Sequence, residues 1–585
     1  MEELKKNQIY DCEITSWSHD GAGVARIGGR AVFVPGAIPG ERWRVRIVKT
    51  SMTAVFGRGE ECLAPSPDRI VPDCSAYPKC GGCALRHVSY EAEKRFKLER
   101  VNEAYRRIGS LELHAEELLG AKETEAYRNK AIYTVNEGLR FGFYRPRSHD
   151  VIPIERCRLQ NEASDRAAGA VCAFLREQGL PAYDERSGHG LVRRVFTRWA
   201  RSTGALQVTV VAAGGFGSKT DALVEAVRRA CPELSSLVLN VNKTRGNTVL
   251  SGDFHILWGS GVLTDTLCGS VFSLAPQSFY QVNPAQAERL YAKAVEYAAP
   301  SGTGTVLDLY CGAGTISLAL AREAGRVIGV ETVPEAIANA RANAERNGVG
   351  NVEFLPGDAG EAAAELLRRG ERPEAVVLDP PRKGLSTEVI EAVCAMSPER
   401  VVYVSCDVAT QARDLREFTR RGYIPRCAAA VDMFPRTMHV ETVVSLGLEK
   451  PDRKYMYIDY KPDHRVVEHG KATYQQIAEY VQEHFGLRVK SLDIAQVKDK
   501  CGLEKRQNYN LGAEGHRVPQ VTQEKENAIR EALKYFKMID SNGSKEKPVF
   551  SLLLRRGRLI LLPFAPLSRP SGRRVWSKIQ TGGQQ

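Results

Sequence analysis

Residues Val401 to Asp407 read VVYVSCD, and this stretch constrains the chain most. Val401, Val402, Tyr403 and Val404 are β-branched or aromatic and carry no charge. That is the signature of a strand covered on both faces, as in a parallel sheet. The run breaks at Ser405-Cys406-Asp407, and a helical pattern follows from Val408. Open α/β sheets bind ligands outside the carboxyl ends of their strands, so Cys406 stands where chemistry is expected. Two more segments should converge on it. One is Asp379-Pro380-Pro381-Arg382-Lys383-Gly384, after a strand at 375–378. The other is His439-Val440-Glu441, leading into a strand at 442–446.

From about residue 266 the pattern is strict β-α alternation. A strand at 305–309 ends in Tyr310-Cys311-Gly312-Ala313-Gly314, and the next strand, 326–330, ends in Glu331. A glycine loop followed by an acid is a nucleoside-binding arrangement: the glycines allow close backbone approach and the acid accepts from ribose hydroxyls. The third glycine used for pyrophosphate is missing, because Ile316-Ser317 stand there. DPPR after the fourth strand has no task in hydride transfer. Both features favour S-adenosylmethionine over a dinucleotide. Asp358, after a strand at 352–355, suits an acceptor for the adenine amino group.

Residues 1–66 differ. Short alternating runs at 9–14, 31–34 and 42–47 are separated by glycine-rich turns, which predicts a small OB-like β-barrel. Arg42, Arg44 and Arg46 would share one strand face, available to RNA. Next comes DCSAYPKCGGC, with Cys74, Cys80 and Cys83 in the spacing C-x5-C-x2-C. Three thiolates need a fourth ligand, and Cys157 lies in a polar, basic segment downstream. Cys172 sits in an apolar helical pattern that suits core packing. Spacing leaves zinc and an iron–sulfur cluster open. Between 127 and 147 aromatics interleave with Arg and Lys, fitting either base stacking or a hairpin with a wet basic face. GGFGSK (214–219) lacks the GK[ST] ending of a phosphate loop and reads as a turn.

The charge balance, 82 basic against 70 acidic residues, is net +12 and favours an anionic partner. Much of the excess lies in the last 45 or so residues, so it says little about the body. No apolar run suits a membrane span and the first residues lack a signal-peptide core, so the cytoplasm is expected. Fourteen cysteines in that compartment suggest metal or catalytic use rather than disulfides. Cys311, Cys394 and Cys427 are expected as small buried hydrophobes.

The chain resembles the TRAM-bearing RNA uracil-C5-methyltransferases, above all the bacterial 23S rRNA 5-methyluridine enzymes. The resemblance rests on DPPRKG (379–384), VVYVSCD (401–407), DMFPRTMHVETVVSL (432–446), SFYQVNP (278–284), LDLYCGAGT (307–315), GAGVAR and VFVPGAIPGE (21–26 and 32–41), and the cysteine cluster. It implies a [4Fe–4S] cluster on Cys74, Cys80, Cys83 and Cys157. It implies S-adenosylmethionine contacts at Gln281, Tyr310, Glu331 and Asp379, with Cys406 as nucleophile and Glu441 as base. The organisation expected is multidomain α/β: a TRAM barrel (1–66), a central α+β RNA-binding domain with the cysteines (67–265), and a Rossmann-like methyltransferase domain (266–449). A helical module (450–540) carrying Lys490, Lys498, Lys500, Lys505 and Arg506, helix-turn-helix-like or for docking, and a disordered basic tail (541–585) complete it. The partner expected is RNA, 23S rRNA before tRNA, with the chain a monomer. A non-catalytic RNA-binding protein with a relic nucleoside fold is the competing reading, which intact Cys406, Glu441 and Asp379 disfavour.

Overall fold

The structure, a computed structural model, describes residues 4–51, 54–244, 248–449, 472–503, 520–536, 538–539, 549–555 and 558–564. They fall into two compact units, one ending at Asp452 and one beginning at Arg453. Among the described residues no helix is long and apolar enough to cross a membrane.

In the first unit, β1 (Ile9–Trp17), β2 (Gly23–Ile27), β3 (Arg30–Val34), β4 (Arg42–Thr50) and β5 (Val55–Ala64) close into a barrel in the order β1-β2-β3-β5-β4. Period-two alternation sends Ile14, Val32, Val34, Val45 and Ile47 inward, all fully buried. Arg42, Arg44 and Arg46 alternate with these along β4, as expected. Yet Arg44 pairs with Asp11 (3.1 Å) and Glu61 (2.5 Å), and Arg46 with Glu60 (2.5 Å). Two of the three cations expected to meet RNA are therefore charge-paired within the barrel.

Helix α1 (Tyr90–Ala104) follows, started by Ser89, whose hydroxyl accepts from the Ala92 amide. Its buried face is not an apolar stripe, because Glu93 and Lys97 lie fully inside. Hydrophobic periodicity therefore does not reveal this helix. Strand β6 (Ala115–Leu119) then joins the far edge of the catalytic sheet, parallel to its neighbour. Val101, Ala104, Leu113 and Ala115 pack into the catalytic core. Residues 101–119, grouped by sequence with the central domain, thus pack with the eight-stranded sheet, while Ala92 and Phe96 earlier in α1 pack with Ile38, Leu85 and Val88.

The central sheet contains β7 (Lys130–Val135), β8 (Phe141–Tyr144), β9 (Val151–Pro153), β10 (Val192–Trp199), β11 (Leu206–Ala212), β12 (Leu234–Val241) and β13 (Asp253–Gly259). Their order is β13-β12-β11-β10-β7-β8-β9, and only β11 and β12 run parallel. Helices α2 (Glu162–Glu177) and α3 (Thr220–Ala230) pack on it through Ala167, Val171, Phe174, Leu223 and Val227. Cys172 belongs to that core. GGFGSK is a turn leading into α3.

After a hairpin of β14 (Leu263–Leu267) and β15 (Ser270–Leu274) and helix α4 (Pro284–Ala298), the catalytic layer alternates. It runs β16 (Thr305–Leu309), α5 (Thr315–Leu320), β17 (Arg326–Glu331), α6 (Pro334–Arg346), β18 (Val352–Pro356), α7 (Ala359–Arg368) and β19 (Ala375–Leu378). Then come α8 (Thr387–Met396), β20 (Arg400–Ser405), α9 (Val408–Arg420), β21 (Tyr423–Val431) and β22 (Glu441–Leu448). The sheet order is β18-β17-β16-β19-β20-β22-β21-β6. Only β22 is antiparallel to its neighbours. Its first residue therefore stands beside the last residues of β20, with Ser405 opposite Thr442. Val401, Val402, Tyr403 and Val404 are fully buried, as a strand covered on both faces must be. Cys311 is buried and Cys394 half-buried, but Cys427 is exposed, because the β21 register slips between Pro425 and Cys427.

In the second unit α10 (Tyr474–Phe485), α11 (Ser491–Lys500) and α12 (Gln523–Tyr535) enclose Ile477, Val481, Ile494, Val497, Ile529 and Leu533. Thr473 and Gln476 cap α10 reciprocally, and Gly486, at φ +66°, ends it. Lys498 is buried against the Tyr474 ring, and Lys500 pairs with Glu526 at 2.5 Å. Two of the expected basic contacts are thus engaged internally; Lys505 and Arg506 lie outside the described residues. The expected disorder over 541–585 meets one described element, an antiparallel pair of β23 (Val549–Arg555) and β24 (Arg558–Phe564), and otherwise falls outside the described residues. Two apolar runs flanking Arg556-Gly557 have the pattern of a hairpin.

Lys97 Nζ donates to Glu93 Oε1 and Asp432 Oδ1, both at 2.7 Å, and to the Phe434 carbonyl at 3.1 Å. Removing the cation leaves two buried carboxyls facing one another. Lys97→Met is expected to destabilise the first unit by about 3–5 kcal/mol, seen as a lowered thermal midpoint. An unchanged midpoint would show that the triad contributes nothing.

Candidate active site

Each strand end contributes one group because each strand stops where its turn chemistry begins. At the end of β20, Ser405 Oγ donates to the Asp407 carbonyl (3.0 Å). Asp407 Oδ1 caps α9 by accepting from Ala409 (3.1 Å) and Thr410 (3.0 Å). Cys406 is held between these two locks, half-buried. The DPPRKG loop is fixed from beneath by Asp414 of α9. One of its oxygens accepts from the Leu385 amide and the Tyr403 hydroxyl, both at 2.8 Å. Gly384 sits there at φ +77°, and a Cβ would come within 2.5 Å of that same oxygen, so only glycine fits.

The loop Asp432 to Glu441, which delivers Glu441, is tied to three other segments. Lys97 and the Tyr90 hydroxyl (2.8 Å) hold Asp432, and the Arg436 amide donates to Glu93 (2.7 Å). The Tyr127 hydroxyl donates to the Pro435 carbonyl (3.0 Å), and Asn283 to the Met433 carbonyl (3.2 Å). The SFYQVNP segment is pinned in turn by Asn129, whose side chain donates to the Gln281 carbonyl (2.9 Å).

These loops enclose one cavity of about 670 Å³. Gln281, Tyr310, Glu331, Asp358, Asp379, Cys406 and Glu441, all singled out by sequence, line it together. Tyr310, Gly312 and Gly314 have φ of +71°, +55° and +84°. A Cβ on Gly312 would meet nothing within 4 Å, so this backbone is bare toward open space, as close approach of a nucleoside requires. Glu331 accepts from the Gly312 amide (3.2 Å) and the Val333 amide (2.9 Å). Asp358 is less free than the sequence suggests: its Oδ1 caps α7, accepting from Gly360 at 2.8 Å.

The electrostatics are dominated by buried acids. Glu441 is 4% exposed, and burial, then Asp379, push its carboxyl up to about 8, with Arg382 opposing. Asp379 keeps some surface open to the cavity, yet protein surrounds it, and burial pushes it up to about 7. Burial, then Glu441, push the Cys406 thiol up to about 11, and Arg382 pulls it back. His439, also on the wall, is pushed down to about 4 by desolvation and by Arg382, Arg100 and Lys97. Its ring is neutral, as a structural group's would be.

Sequence reasoning passed over Asp308. It is fully buried beneath the glycine loop, takes a hydrogen bond from Ser317 (2.5 Å), and is pushed up to about 7 by burial. A charged residue inside the apolar strand TVLDL was the available signal. Phe279, 65% exposed on the cavity rim, is another such residue. Away from this cavity, Cys74, Cys80, Cys83 and Cys157 line a smaller one of about 80 Å³. Burial pushes Cys83 to about 11 and Cys157 to about 12. Among the described residues, no three His, Cys, Asp or Glu side chains converge as metal ligands do.

The family model described as tRNA (Uracil-5-)-methyltransferase matches residues 269–449, and the TRAM domain model matches 3–58. An RNA methyltransferase of Halalkalibacterium halodurans is 41% identical over 450 residues, covering 76% of this chain and 98% of that protein. The chain belongs to the TRAM-domain RNA uracil-C5-methyltransferase family. An RNA methyltransferase of Listeria monocytogenes is 40% identical, covering 76% and 99%. The solved tRNA (uracil-54, C5)-methyltransferase of Pyrococcus abyssi, in complex with S-adenosyl-L-homocysteine, superposes with a TM-score of 0.62 at 26% identity, covering 74% of this chain and 99% of that one. Membership makes the chain an S-adenosylmethionine-dependent RNA methyltransferase of the uracil-5 type.

A carboxyl raised by burial is protonated in the folded chain at pH values where the unfolded chain has lost that proton. Stability therefore falls as pH rises from about 4.5 to about 8 on account of Glu441. Glu441→Gln removes this cost. The variant is expected to exceed the parent in stability by roughly 2–4 kcal/mol at pH 8.5, with the gap narrowing toward pH 5. Equal pH profiles from denaturant titrations would contradict the burial of a titrating carboxyl at this position.

Proposed function

We propose that the chain methylates C5 of a uridine in RNA, 23S rRNA before tRNA, through a covalent bond between Cys406 and C6 of uracil. The observation that carries this reading is the shared wall of Cys406, Glu441, Asp379 and Arg382 beside the glycine loop. C5 of uracil is a poor nucleophile until a group adds at C6. A thiolate does so readily, being soft and strongly nucleophilic. The Cys406 sulfur forms the bond to C6, and the C5–C6 π electrons move toward O4. Arg382, the cation beside Cys406, favours both the thiolate and the enolate charge. S-adenosylmethionine, the second substrate, gives its methyl group to C5 as the sulfonium–methyl bond breaks and leaves as the thioether S-adenosylhomocysteine, with Gln281, Tyr310, Glu331, Asp358 and Asp379 as its contacts. Glu441, as carboxylate, then takes the C5 proton, the C5–C6 double bond re-forms and the thiolate leaves. The uridine must leave its stack, which costs a few kcal/mol and favours loops.

The preference for 23S rRNA rests on the combination of a TRAM barrel with a cysteine cluster. The Pyrococcus neighbour, named for a tRNA position, favours tRNA as the second reading. The proposal includes a monomer in the cytoplasm, where fourteen free cysteines stay reduced. It also includes a [4Fe–4S] cluster on Cys74, Cys80, Cys83 and Cys157. The reading is supported by four thiols on two chain segments around one cavity, which do not converge as ligands in this structure. Bound there, the cluster would cross-link the two segments rather than take part in methyl transfer. Anaerobically purified protein should carry about four iron atoms per chain, and Cys83→Ser and Cys157→Ser should lose them. Iron-free protein, or zinc in its place, would refute the cluster.

The mechanism is tested with RNA containing 5-fluorouridine and S-adenosylmethionine. Fluorine cannot leave as a proton does, so an adduct stable to denaturation is expected on 23S rRNA fragments and absent in Cys406→Ala. Glu441→Gln should accumulate adduct even on unfluorinated RNA. Trapping on tRNA alone would reverse the substrate order, and no adduct on either RNA would sink the covalent mechanism.

A further inference from the structure

The stretch that leads into Glu441 alternates. His439 and Glu441 line the reaction cavity. Val440 between them is buried in the core of the eight-stranded sheet, and Met438 packs elsewhere, against Ile38, Leu85, Val88, Ala92 and Phe96. Ile38 belongs to the barrel, and Trp17 of β1 joins the same cluster, its ring 4.8 Å from that of Phe96. The catalytic loop is thus pegged into two cores, and the barrel shares one of them. Gly21, in the turn between β1 and β2, offers Met438 a bare backbone. It has φ +77°, and a Cβ there would come within 2.5 Å of Met438 Sδ and 2.8 Å of its Cε. The turn itself is braced. The Ser18 amide donates to the Ala22 carbonyl (2.8 Å), the Gly21 amide to the Ser18 carbonyl (3.0 Å), and the Ala22 amide to Ser18 Oγ (2.9 Å). Arg100 of α1 donates to the Met438 carbonyl, so main chain and side chain of this residue are both held.

We propose that Gly21 and Met438 are positioning residues for methyl transfer: the barrel turn is the surface on which Met438 rests, and through it the barrel sets where Glu441 faces the cavity. The inference rests on the reading above, in which Glu441 takes the C5 proton. A base acts only within hydrogen-bond reach of that proton, and a displacement of about 1 Å can cost on the order of a hundredfold in rate. Val440 alone would leave the segment free to pivot about a single peg. Met438, two residues earlier and in a different core, is the second peg that fixes its rotation. The step that Glu441 carries is release of Cys406 from the methylated base, not the addition of Cys406. A displaced Glu441 therefore has its own signature: the covalent adduct persists on ordinary uridine while RNA binds as before. A contact that only stabilised the barrel, or a barrel that only held RNA, would not produce it.

The test is steady-state methyl transfer from S-adenosylmethionine by the full chain, on whichever of a 23S rRNA fragment or tRNA the parent methylates, with adduct scored after denaturation. Gly21→Ala should lower kcat about tenfold, leave the RNA KM within about twofold, and accumulate adduct on unfluorinated RNA as Glu441→Gln does. Gly29→Ala is the control for backbone strain: Gly29 has φ +81° but nothing within 4 Å of its would-be Cβ, so kcat and KM should stay at the parent's values. Met438→Ala should lower kcat about threefold, and because it removes the atoms that the new Cβ would strike, the double variant should be no slower than Met438→Ala alone. Losses that multiply in the double variant would overturn the inference, as would an equal loss in Gly29→Ala, or a raised KM with kcat unchanged. Should Gly21→Ala not fold, Met438→Ala decides alone, an unchanged kcat overturning it. Failure of the underlying reading looks different: the parent then methylates neither RNA, or Glu441→Gln holds no adduct, and the inference falls with it.

Discussion

The arrangement depends on one buried cation. Lys97 stands fully enclosed between Glu93 on its own helix and Asp432 at the start of the loop that delivers Glu441. A lone ammonium in such a place would lose its proton or drag in water, and two lone carboxyls would do the reverse. Together they satisfy each other, and the pairing specifies position as well as energy. It fixes α1 against the 432–441 loop, whose far end must start β22 in the one register that sets Thr442 opposite Ser405. The Tyr90 hydroxyl donates to the second oxygen of Asp432, and the Arg436 amide to the Glu93 oxygen that Lys97 also holds, while Glu93 Oε2 is left 3.7 Å from the Arg436 guanidinium with no hydrogen bond. The α1 segment, between the barrel and the cysteine loop in one direction and the central sheet in the other, is thus the bracket that aims the catalytic loop.

The reaction cavity solves a different problem with the same physics. Asp379 and Glu441 are both raised by burial, and Arg382 is the cation acting on Glu441 and on Cys406. A site filled with ionised carboxylates would pull itself apart, so the folded protein holds protons there near neutrality. The arrangement costs stability, since a hydrophobic wall would be cheaper. The cost falls where the proposed chemistry calls for a base whose affinity for a proton is close to that of the medium. The His439 ring beside it does not compete for this task, because burial, and after it the nearby cations Arg382, Arg100, Lys97 and Arg128, push its proton affinity down.

The catalytic layer was legible because period, turn residue and chemistry agreed along it. TVLDL, AVVL and VVYV each read as a strand, and each ended in a residue with a task. The barrel was legible for the same reason, with glycine turns at short intervals. The interaction of its arginines was not, because pairing of Arg44 with Asp11 and Glu61 depends on which strands become neighbours, and closure of the barrel decides that. Helix α1 was hidden by its own role: Glu93 and Lys97 interrupt a buried face that otherwise holds Ala92, Phe96, Val101 and Ala104. Strand β6, five residues long with two glutamates, gives no strand signal by itself and exists because the β21 edge offers a ladder. The antiparallel insertion of β22 was likewise beyond the sequence, since alternation alone argues for parallel strands throughout.

The second unit stands apart in a way that bears on the chemistry. The relatives match about three quarters of this chain while being covered nearly end to end themselves. Every residue to which the proposed methyl transfer assigns a role, and Cys74, Cys80, Cys83 and Cys157, lie before residue 449. The helices of the second unit have their own closed core, and their lysines are in part spent on it: Lys498 against Tyr474 and Lys500 on Glu526. The first unit therefore holds every residue to which the proposed methyl transfer assigns a role.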